Sequence, residues 1–171
     1  MSFFSLIFYD CAQLKRGFQV YRQVCSACHS INKLAFRQLV GVTHDEASMK
    51  ALAKEYQIVD EEPDAEGNPV IRPGKLTDDI PGPYKNEMEA RAANNGALPP
   101  DFRLIRNART SGLDFKAGED YIYHLLTGYC EPPAGVTVAE GQHYNPYFSG
   151  GAIGMGPPLY NEIIQYEDGT E

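Results

Sequence analysis

Two cysteines and a histidine at fixed spacing form the most informative pattern in the chain. The segment at 25–29, CSACH, has the form C-x-x-C-H, which is typical of a site for covalent attachment of haem c. Two thiols three positions apart lie on one side of a helix or turn, so each can add to one vinyl group of the porphyrin. The motif therefore predicts a haem held by Cys25 and Cys28, with His29 as an iron ligand on the same face.

Two other classes of site also use a C-x-x-C pair. A thiol-redox pair is expected in a β-α-β context, whereas here a predicted helix precedes the motif. A zinc site needs about four ligands, and the remaining cysteines, Cys11 and Cys130, form no second C-x-x-C pair. Neither alternative accounts for the histidine that follows the pair, so we favour haem over a zinc or thiol-redox domain.

A six-coordinate iron needs a second ligand from elsewhere in the chain. Met155 lies in the segment GAIGMGPP at 151–158, where glycines allow close backbone approach and prolines stiffen the loop. Histidine/methionine ligation is typical of electron transfer, because a filled sixth position disfavours O₂ binding. We favour Met155, and the other methionines and histidines that stay open are Met49, Met88, His44, His124 and His143.

The elements that must position these residues are predicted to be mainly helices. Apolar residues spaced by three and four predict a helix from about residue 12 to 28. Thr43 and Glu46 form a capping-box pattern, which predicts a second helix whose buried face carries Met49, Leu52, Ala53 and Tyr56.

Three shorter helices are predicted further along the chain. Asn86 with Glu89 predicts a helix that ends at Asn95 before a glycine, and Asp101 is expected to cap a short helix through Ile105. Acidic residues in the first turn predict another helix over 118–127. Residues 59–75 can form at most a short strand or hairpin. Twelve Gly or Pro among residues 128–160 predict a long irregular segment.

Length and charge restrict the class of protein. A chain of 171 residues with a net charge of −8 fits one domain, and its charge argues against nucleic acid as a partner. The acidic run Asp60, Glu61, Glu62, Asp64 and Glu66 could attract a basic protein. The most apolar stretch, at 3–9, is shorter than the roughly 18 residues of a membrane span, so the chain as given reads as soluble.

Haem propionates would require basic partners in such an acidic protein. Three arginines are candidates, namely Arg72, Arg106 and Arg109. Each could equally be a solvated surface charge, and the sequence does not separate these alternatives.

Several segments together resemble the cytochrome c1 family, the haem subunits of the respiratory quinol–cytochrome c reductase (bc1 complex). The resemblance covers about residues 12–171 and is carried by RGFQVY at 16–21, LVGV at 39–42, RPGKL at 72–76, AANNGALPPD at 92–101, LLTGYCEPPAGV at 125–136, NPYF at 145–148 and AIGMGPP at 152–158. Residues 1–11 match poorly, and 110–116 looks like a small insertion. Cys11 has no role in this pattern, although a disulfide with Cys130 is conceivable.

The resemblance implies an all-α, enlarged cytochrome c fold with long irregular loops around one covalently bound haem. Cys25, Cys28 and His29 would hold the haem, and Met155 would be the second iron ligand. Arg109 would meet a propionate. The residues that would line the pocket are Asn94, Pro100, Tyr121 and Phe148.

The resemblance also implies a role in electron transfer. Such a subunit accepts one electron from the Rieske iron–sulfur protein, passes it to soluble cytochrome c and assembles with cytochrome b, without making or breaking a substrate bond itself. It would be anchored by a C-terminal transmembrane helix, absent from this chain, on the intermembrane-space side of the mitochondrial inner membrane or the periplasmic side of a bacterial one. A free-standing soluble c-type cytochrome is the alternative.

Overall fold

The computed structural model describes residues 9–60, 62–110 and 117–170. In these ranges the helices are α1 (Cys11–Gln23), α2 (Glu46–Ala53), α3 (Glu87–Ala93), α4 (Ile105–Ala108) and α5 (Ala117–Thr127). Two short antiparallel strand pairs accompany them, β1 (Gln57–Val59) with β2 (Ile71–Pro73) and β3 (His143–Tyr144) with β4 (Ala152–Ile153). The architecture is therefore mainly helical with extensive loops, and the expected all-α class holds apart from these strands.

Helix α1 is shorter than the sequence predicts. It begins with a capping box, in which the Gln13 backbone N–H donates to the Asp10 carboxylate at 2.7 Å and the Gln13 amide oxygen accepts from the Asp10 N–H. The predicted extension to residue 28 is wrong, because the chain tightens after Gln23 into a 3-10 turn over Cys25–Ala27. The C-x-x-C-H motif therefore lies in a turn that follows α1.

The predicted cap of α2 is also wrong, although its buried face is confirmed. Asp45, two residues after Thr43, caps the helix by accepting from the Ser48 backbone N–H at 2.8 Å. Thr43 is buried and its hydroxyl donates to the Leu39 carbonyl instead. A carboxylate adjacent to the first helical residue competes successfully with a hydroxyl placed farther away.

The remaining helices agree with the sequence to different degrees. Helix α3 has the predicted Asn86 cap, whose side chain accepts from the Glu89 N–H at 2.9 Å. Helix α5 matches its prediction within one residue. Helix α4 begins only at Ile105 and has no side-chain cap, because the Asp101 carboxylate is used in tertiary contacts described below.

The hydrophobic core lies between α1, α2 and the loops that connect them. Phe36 and Met49 are fully buried at its centre. The other buried members are Phe18, Tyr21, Leu39, Leu52, Ala53 and Ile80. This core supports the turn that carries the C-x-x-C-H motif, since Cys25 packs against it.

The end of the chain is fastened to α1. The buried Gln19 side chain donates to the Gln165 carbonyl at 2.8 Å and accepts from the Glu167 N–H at 3.1 Å. Arg16 forms an ion pair with Asp168 at 2.8 Å. Residues 165–168 are thereby held beside the first helix.

Within the described ranges, no helix combines the length and apolar character needed to cross a membrane. Most of the apolar stretch at 3–9, Glu61 of the acidic run and residues 111–116 of the proposed insertion lie outside the described residues. The predicted division of the chain into a poorly matching segment, 1–11, and a haem domain, 12–171, stays a prediction.

Candidate cofactor site

The 3-10 turn presents both cysteines of the motif as free thiols. The backbone N–H groups of Cys28 and His29 donate to the Cys25 carbonyl at 3.1 and 2.9 Å, and the Ser26 hydroxyl donates to the Arg22 carbonyl. Both thiols are half-buried and form no disulfide. Burial, together with the nearby Cys28 sulfur, raises the pKa of Cys25. The thiols are therefore placed on one short turn and are available for covalent attachment.

His29 has the protonation pattern of a metal ligand. Its ring is buried, and Nδ1 lies 2.8 Å from the Pro100 carbonyl oxygen. Because a carbonyl oxygen can only accept, Nδ1 carries the hydrogen and Nε2 keeps its lone pair. Burial lowers the pKa of His29 despite this hydrogen bond, so the imidazole is neutral near pH 7. A neutral imidazole with a lone pair on Nε2 is the form that binds a metal ion.

The segment Pro100–Phe102 contacts His29 and the residues that follow it. The Asp101 carboxylate accepts from the Ser30 hydroxyl at 2.8 Å and from the Asn32 backbone N–H at 2.7 Å. The Phe102 N–H donates to the Ser30 carbonyl at 2.9 Å, and its ring stacks on His29. The family resemblance implied Pro100 near the site, but the sequence predicted Asp101 as the cap of a short helix that carries Phe102. No local signal reveals these long-range contacts.

Met155 follows β4 in a loop that several contacts hold in place. The Tyr129 hydroxyl donates to the Met155 carbonyl at 2.9 Å. A Cβ on Gly156 would lie 3.3 Å from His143 Nε2, and one on Gly154 would lie 3.5 Å from the Ala97 side chain. The flanking glycines therefore permit close packing within the protein. Tyr129 therefore supports the Met155 loop, a role that the sequence did not predict.

One stretch of chain contacts both candidate ligand loops. Ala97 lies next to Gly154, beside Met155, and Pro100 lies three residues further on with its carbonyl on His29. Residues 97–100 thus connect the loop of Met155 with the turn of His29.

The other candidate ligands have different surroundings. Met49 is completely buried in the core, and Met88 is 78% exposed. His124 stacks on Tyr147 with centroids 4.8 Å apart. These packing roles favour Met155. Among the other candidates, His143 is the one that the described contacts place next to the Met155 loop.

His44 is occupied in a different region, beside α1 and α2. Its Nδ1 lies 2.9 Å from the Thr43 hydroxyl oxygen, and its ring meets the edge of Phe18. Burial lowers the pKa of His44, with Lys15 contributing in the same direction. The contacts of His44 are thus with the core rather than with the Met155 loop.

The three candidate arginines differ in their partners. Arg72 is bound to Asp60 and Asp78, and Arg106 is bound to Glu119. Both are therefore engaged in ion pairs within the protein, contrary to a role as a propionate partner.

Arg109 borders two cavities instead. Its guanidinium lies 5.9 Å from the centre of the Tyr121 ring, and in the described part of the chain no carboxylate pairs with it. One cavity, of about 420 Å³, is also lined by Pro100 and Ile105. The other, of about 720 Å³, is lined by Tyr121 and Phe148. The structure thus brings four predicted site residues, Arg109, Pro100, Tyr121 and Phe148, to adjoining cavities.

Asn94 and the two remaining cysteines lie outside the two cavities. The Asn94 amide donates to the Tyr84 hydroxyl and to the Ala90 carbonyl, so it closes the end of α3 and lines neither cavity. Cys11 and Cys130 are exposed and unpaired, which does not support the disulfide. In the described ranges, no group of three or more His, Cys, Asp or Glu side chains is arranged to hold a metal ion.

Comparisons with known proteins agree with the motif. A model of the Cytochrome C1 family matches residues 3–171. The chain is 58% identical over 163 residues to the cytochrome b-c1 complex catalytic subunit, mitochondrial, of Candida albicans. It is 55% identical over 163 residues to cytochrome c1, heme protein, mitochondrial, of both Kluyveromyces lactis and Saccharomyces cerevisiae.

These alignments cover unequal shares of the two chains. In each, 95% of this chain is aligned, against 54%, 53% and 50% of the respective relatives. The chain therefore spans about half the length of the curated relatives it matches.

Proposed function

Because the chain belongs to the cytochrome c1 family, we propose that it carries one covalently attached haem c and transfers single electrons within a mitochondrial bc1 complex. The electron would come from a Rieske iron–sulfur protein and leave to a soluble cytochrome c, with cytochrome b as the neighbouring subunit. The observation that carries this proposal is the buried, neutral His29, whose Nδ1 hydrogen is held by the Pro100 carbonyl and which directly follows two free thiols in the same turn. When bound, the haem iron takes up and releases one electron at a time.

Cys25 and Cys28 would hold the cofactor through thioether bonds, and His29 would bind its iron. The carbonyl of Pro100 keeps the hydrogen of His29 on Nδ1, which leaves Nε2 free for the metal. These residues fit the group, because two free thiols and one neutral imidazole are the donor set that haem c requires.

Met155 would supply the sixth ligand from its supported loop. The hydroxyl of Tyr129 holds the Met155 carbonyl, so a contact within the protein restrains the loop. A thioether ligand raises the reduction potential relative to stronger donors. The role of Met155 would therefore be to favour the reduced state and to keep small molecules from the sixth position.

Arg109 would balance the charge of a propionate. It lies at the border of the two cavities and stands over Tyr121. A guanidinium forms two parallel hydrogen bonds to a carboxylate, so Arg109 can orient the group while it offsets negative charge. Pro100, Tyr121 and Phe148 would supply the walls of the same region.

The acidic surface would attract a basic electron acceptor. The chain has a net charge of −8, and Glu62, Asp64 and Glu66 lie exposed in the loop between β1 and β2. The proposed location is the intermembrane-space side of the mitochondrial inner membrane.

Stopped-flow kinetics test this function. The reduced protein is mixed with a basic cytochrome c at rising ionic strength, and a small uncharged oxidant serves as control. We expect electron transfer to cytochrome c to slow as salt screens the attraction, while the rate with the control oxidant stays constant. Absence of electron transfer, or equal salt dependence for both acceptors, would contradict the proposal.

A further inference from the structure

The ring of Phe102 lies flat against the imidazole of His29. The two ring centroids are 4.2 Å apart, and the planes differ by 24°. We propose that Phe102 is a positioning residue that fixes the plane of the His29 imidazole and thereby the orientation of an iron ligand. The inference rests on the proposed function, in which His29 binds the haem iron.

The hydrogen bond from His29 to Pro100 does not define the ring plane by itself. Carbonyl oxygens accept hydrogen bonds over a broad range of directions, so the 2.8 Å contact at Nδ1 locates one atom of the ring. Within this range the ring can still rotate about its Cβ–Cγ bond, and packing on its face resists that rotation. Phe102 occupies that position, and it therefore supplies the constraint that the hydrogen bond lacks.

Phe102 is itself held through both its backbone and its ring. Its backbone N–H donates to the Ser30 carbonyl at 2.9 Å, which ties it to the residue after His29. Its ring packs on Tyr21 with centroids 6.2 Å apart, and the Tyr21 hydroxyl donates to the His29 carbonyl at 3.2 Å. The contacts form a closed circuit from His29 through Phe102 and Tyr21 back to the His29 backbone.

Both constraints on His29 come from one three-residue segment. Pro100 supplies the carbonyl, Phe102 supplies the ring, and Asp101 between them accepts hydrogen bonds from Ser30 and Asn32. The segment is thus fixed to the same turn whose histidine it orients. A change at Phe102 would therefore act directly on the imidazole.

The orientation of an axial imidazole affects the electronic structure of the iron to which it binds. Residues that contact a ligand but not the metal determine how that ligand is presented and so tune the metal centre. Loss of the Phe102 ring should therefore alter the spectroscopic signature of the haem as well as protein stability.

Electron paramagnetic resonance of the ferric holoprotein tests this role. Phe102→Leu removes the ring, Phe102→Met fills the space with a flexible chain should the leucine variant fail to fold, and Phe102→Tyr restores an aromatic face. We expect shifted and broadened g values, together with an altered reduction potential, in the leucine and methionine variants. The tyrosine variant should recover the wild-type spectrum.

Phe36→Leu is the matched control, because Phe36 is a fully buried core ring that packs on Tyr56 and shares no described ring contact with His29, Phe102 or Tyr21. It should lower the melting temperature and leave the g values unchanged. Wild-type g values in both the leucine and methionine variants of Phe102 would overturn this inference while the proposed function stands. A wild-type protein without a low-spin ferric haem signal would overturn the proposed function and this inference together.

Discussion

His29 illustrates how a single backbone group can prepare a side chain for metal binding. The Pro100 carbonyl holds the hydrogen on Nδ1, and burial lowers the pKa of the ring. Either effect alone would leave a mixture of protonation states or tautomers. Together they give one neutral form with a lone pair on Nε2, which is the form that iron requires.

Met155 offers the most direct test at the scale of a single residue. Met155→Leu keeps the side chain apolar and similar in volume but removes the sulfur. We expect a substantially lower reduction potential, because the thioether no longer favours the ferrous state. Potentiometric titration of the holoprotein measures the change.

Met88→Leu is the matched control, since Met88 is 78% exposed on α3. Its substitution should leave the potential unchanged. An unchanged potential in Met155→Leu would mean that another residue is the sixth ligand, and His143 would then be examined first because it lies against Gly156.

At the scale of elements, an ion-pair network fastens the β1–β2 hairpin to the loop that follows it. The Arg72 guanidinium donates two hydrogen bonds to the Asp78 carboxylate at 2.6 and 3.0 Å, and a third reaches Asp60 at 2.8 Å. The Asp78 backbone carbonyl in turn accepts from the Phe36 N–H. Charged groups thus contribute to the connection between the hairpin and the core.

Asp78→Asn should destabilise the protein in a pH-dependent way. The hydrogen bonds from Arg72 hold the pKa of Asp78 below its ordinary value, so its contribution is present above about pH 4 and is lost as pH falls through the lowered pKa. We expect a cost of about 1–3 kcal/mol at neutral pH. Unfolding experiments from pH 7 to pH 3 should show this difference shrinking.

Asp79→Asn is the control for this change, because the Asp79 side chain is 48% exposed and lies 4.0 Å from Lys33. Its substitution should change the free energy of unfolding little at any pH. A difference between wild type and Asp78→Asn that stays constant down to pH 3 would contradict the assigned role of the carboxylate.

Elements with strong local signals are the ones that the sequence predicts well. Asn86 caps α3 as expected, and Gly128 follows the end of α5. Errors occur where a second local signal or a tertiary contact competes with the first. Asp45 displaces Thr43 as the cap of α2, and Asp101 is drawn away from α4 by its bonds to the loop after His29.

In the candidate site, too, features with a local signal can be predicted and features that depend on distant partners cannot. The C-x-x-C-H motif and the Gly/Pro-rich Met155 loop can be read from spacing and composition alone. Phe102, Tyr129 and Asn145 cannot, because their roles depend on partners distant in the chain. Asn145, for example, is completely buried and donates to the Leu125 carbonyl at 2.7 Å, although nothing in its neighbourhood predicts this.

At the scale of the whole molecule, the apolar core and the two cavities are formed mostly by different parts of the chain. The main cluster is formed by residues 18–80, whereas the two cavities are lined mostly by residues 100–150. The proposed haem would be bound covalently at the end of α1 and would pack against the loops of the second part. Its porphyrin would then connect the two parts.

Covalent attachment of haem at the motif is the central claim, and a spectrum before and after acid–acetone extraction tests it most directly. Extraction removes non-covalent haem, so the wild-type protein should keep a sharp reduced-haem absorption band. The control variant Cys11→Ala/Cys130→Ala, which alters only exposed cysteines outside the motif, should also keep it. Cys25→Ala/Cys28→Ala should lose it. A colourless wild-type protein, or a band that extraction removes, would contradict the account.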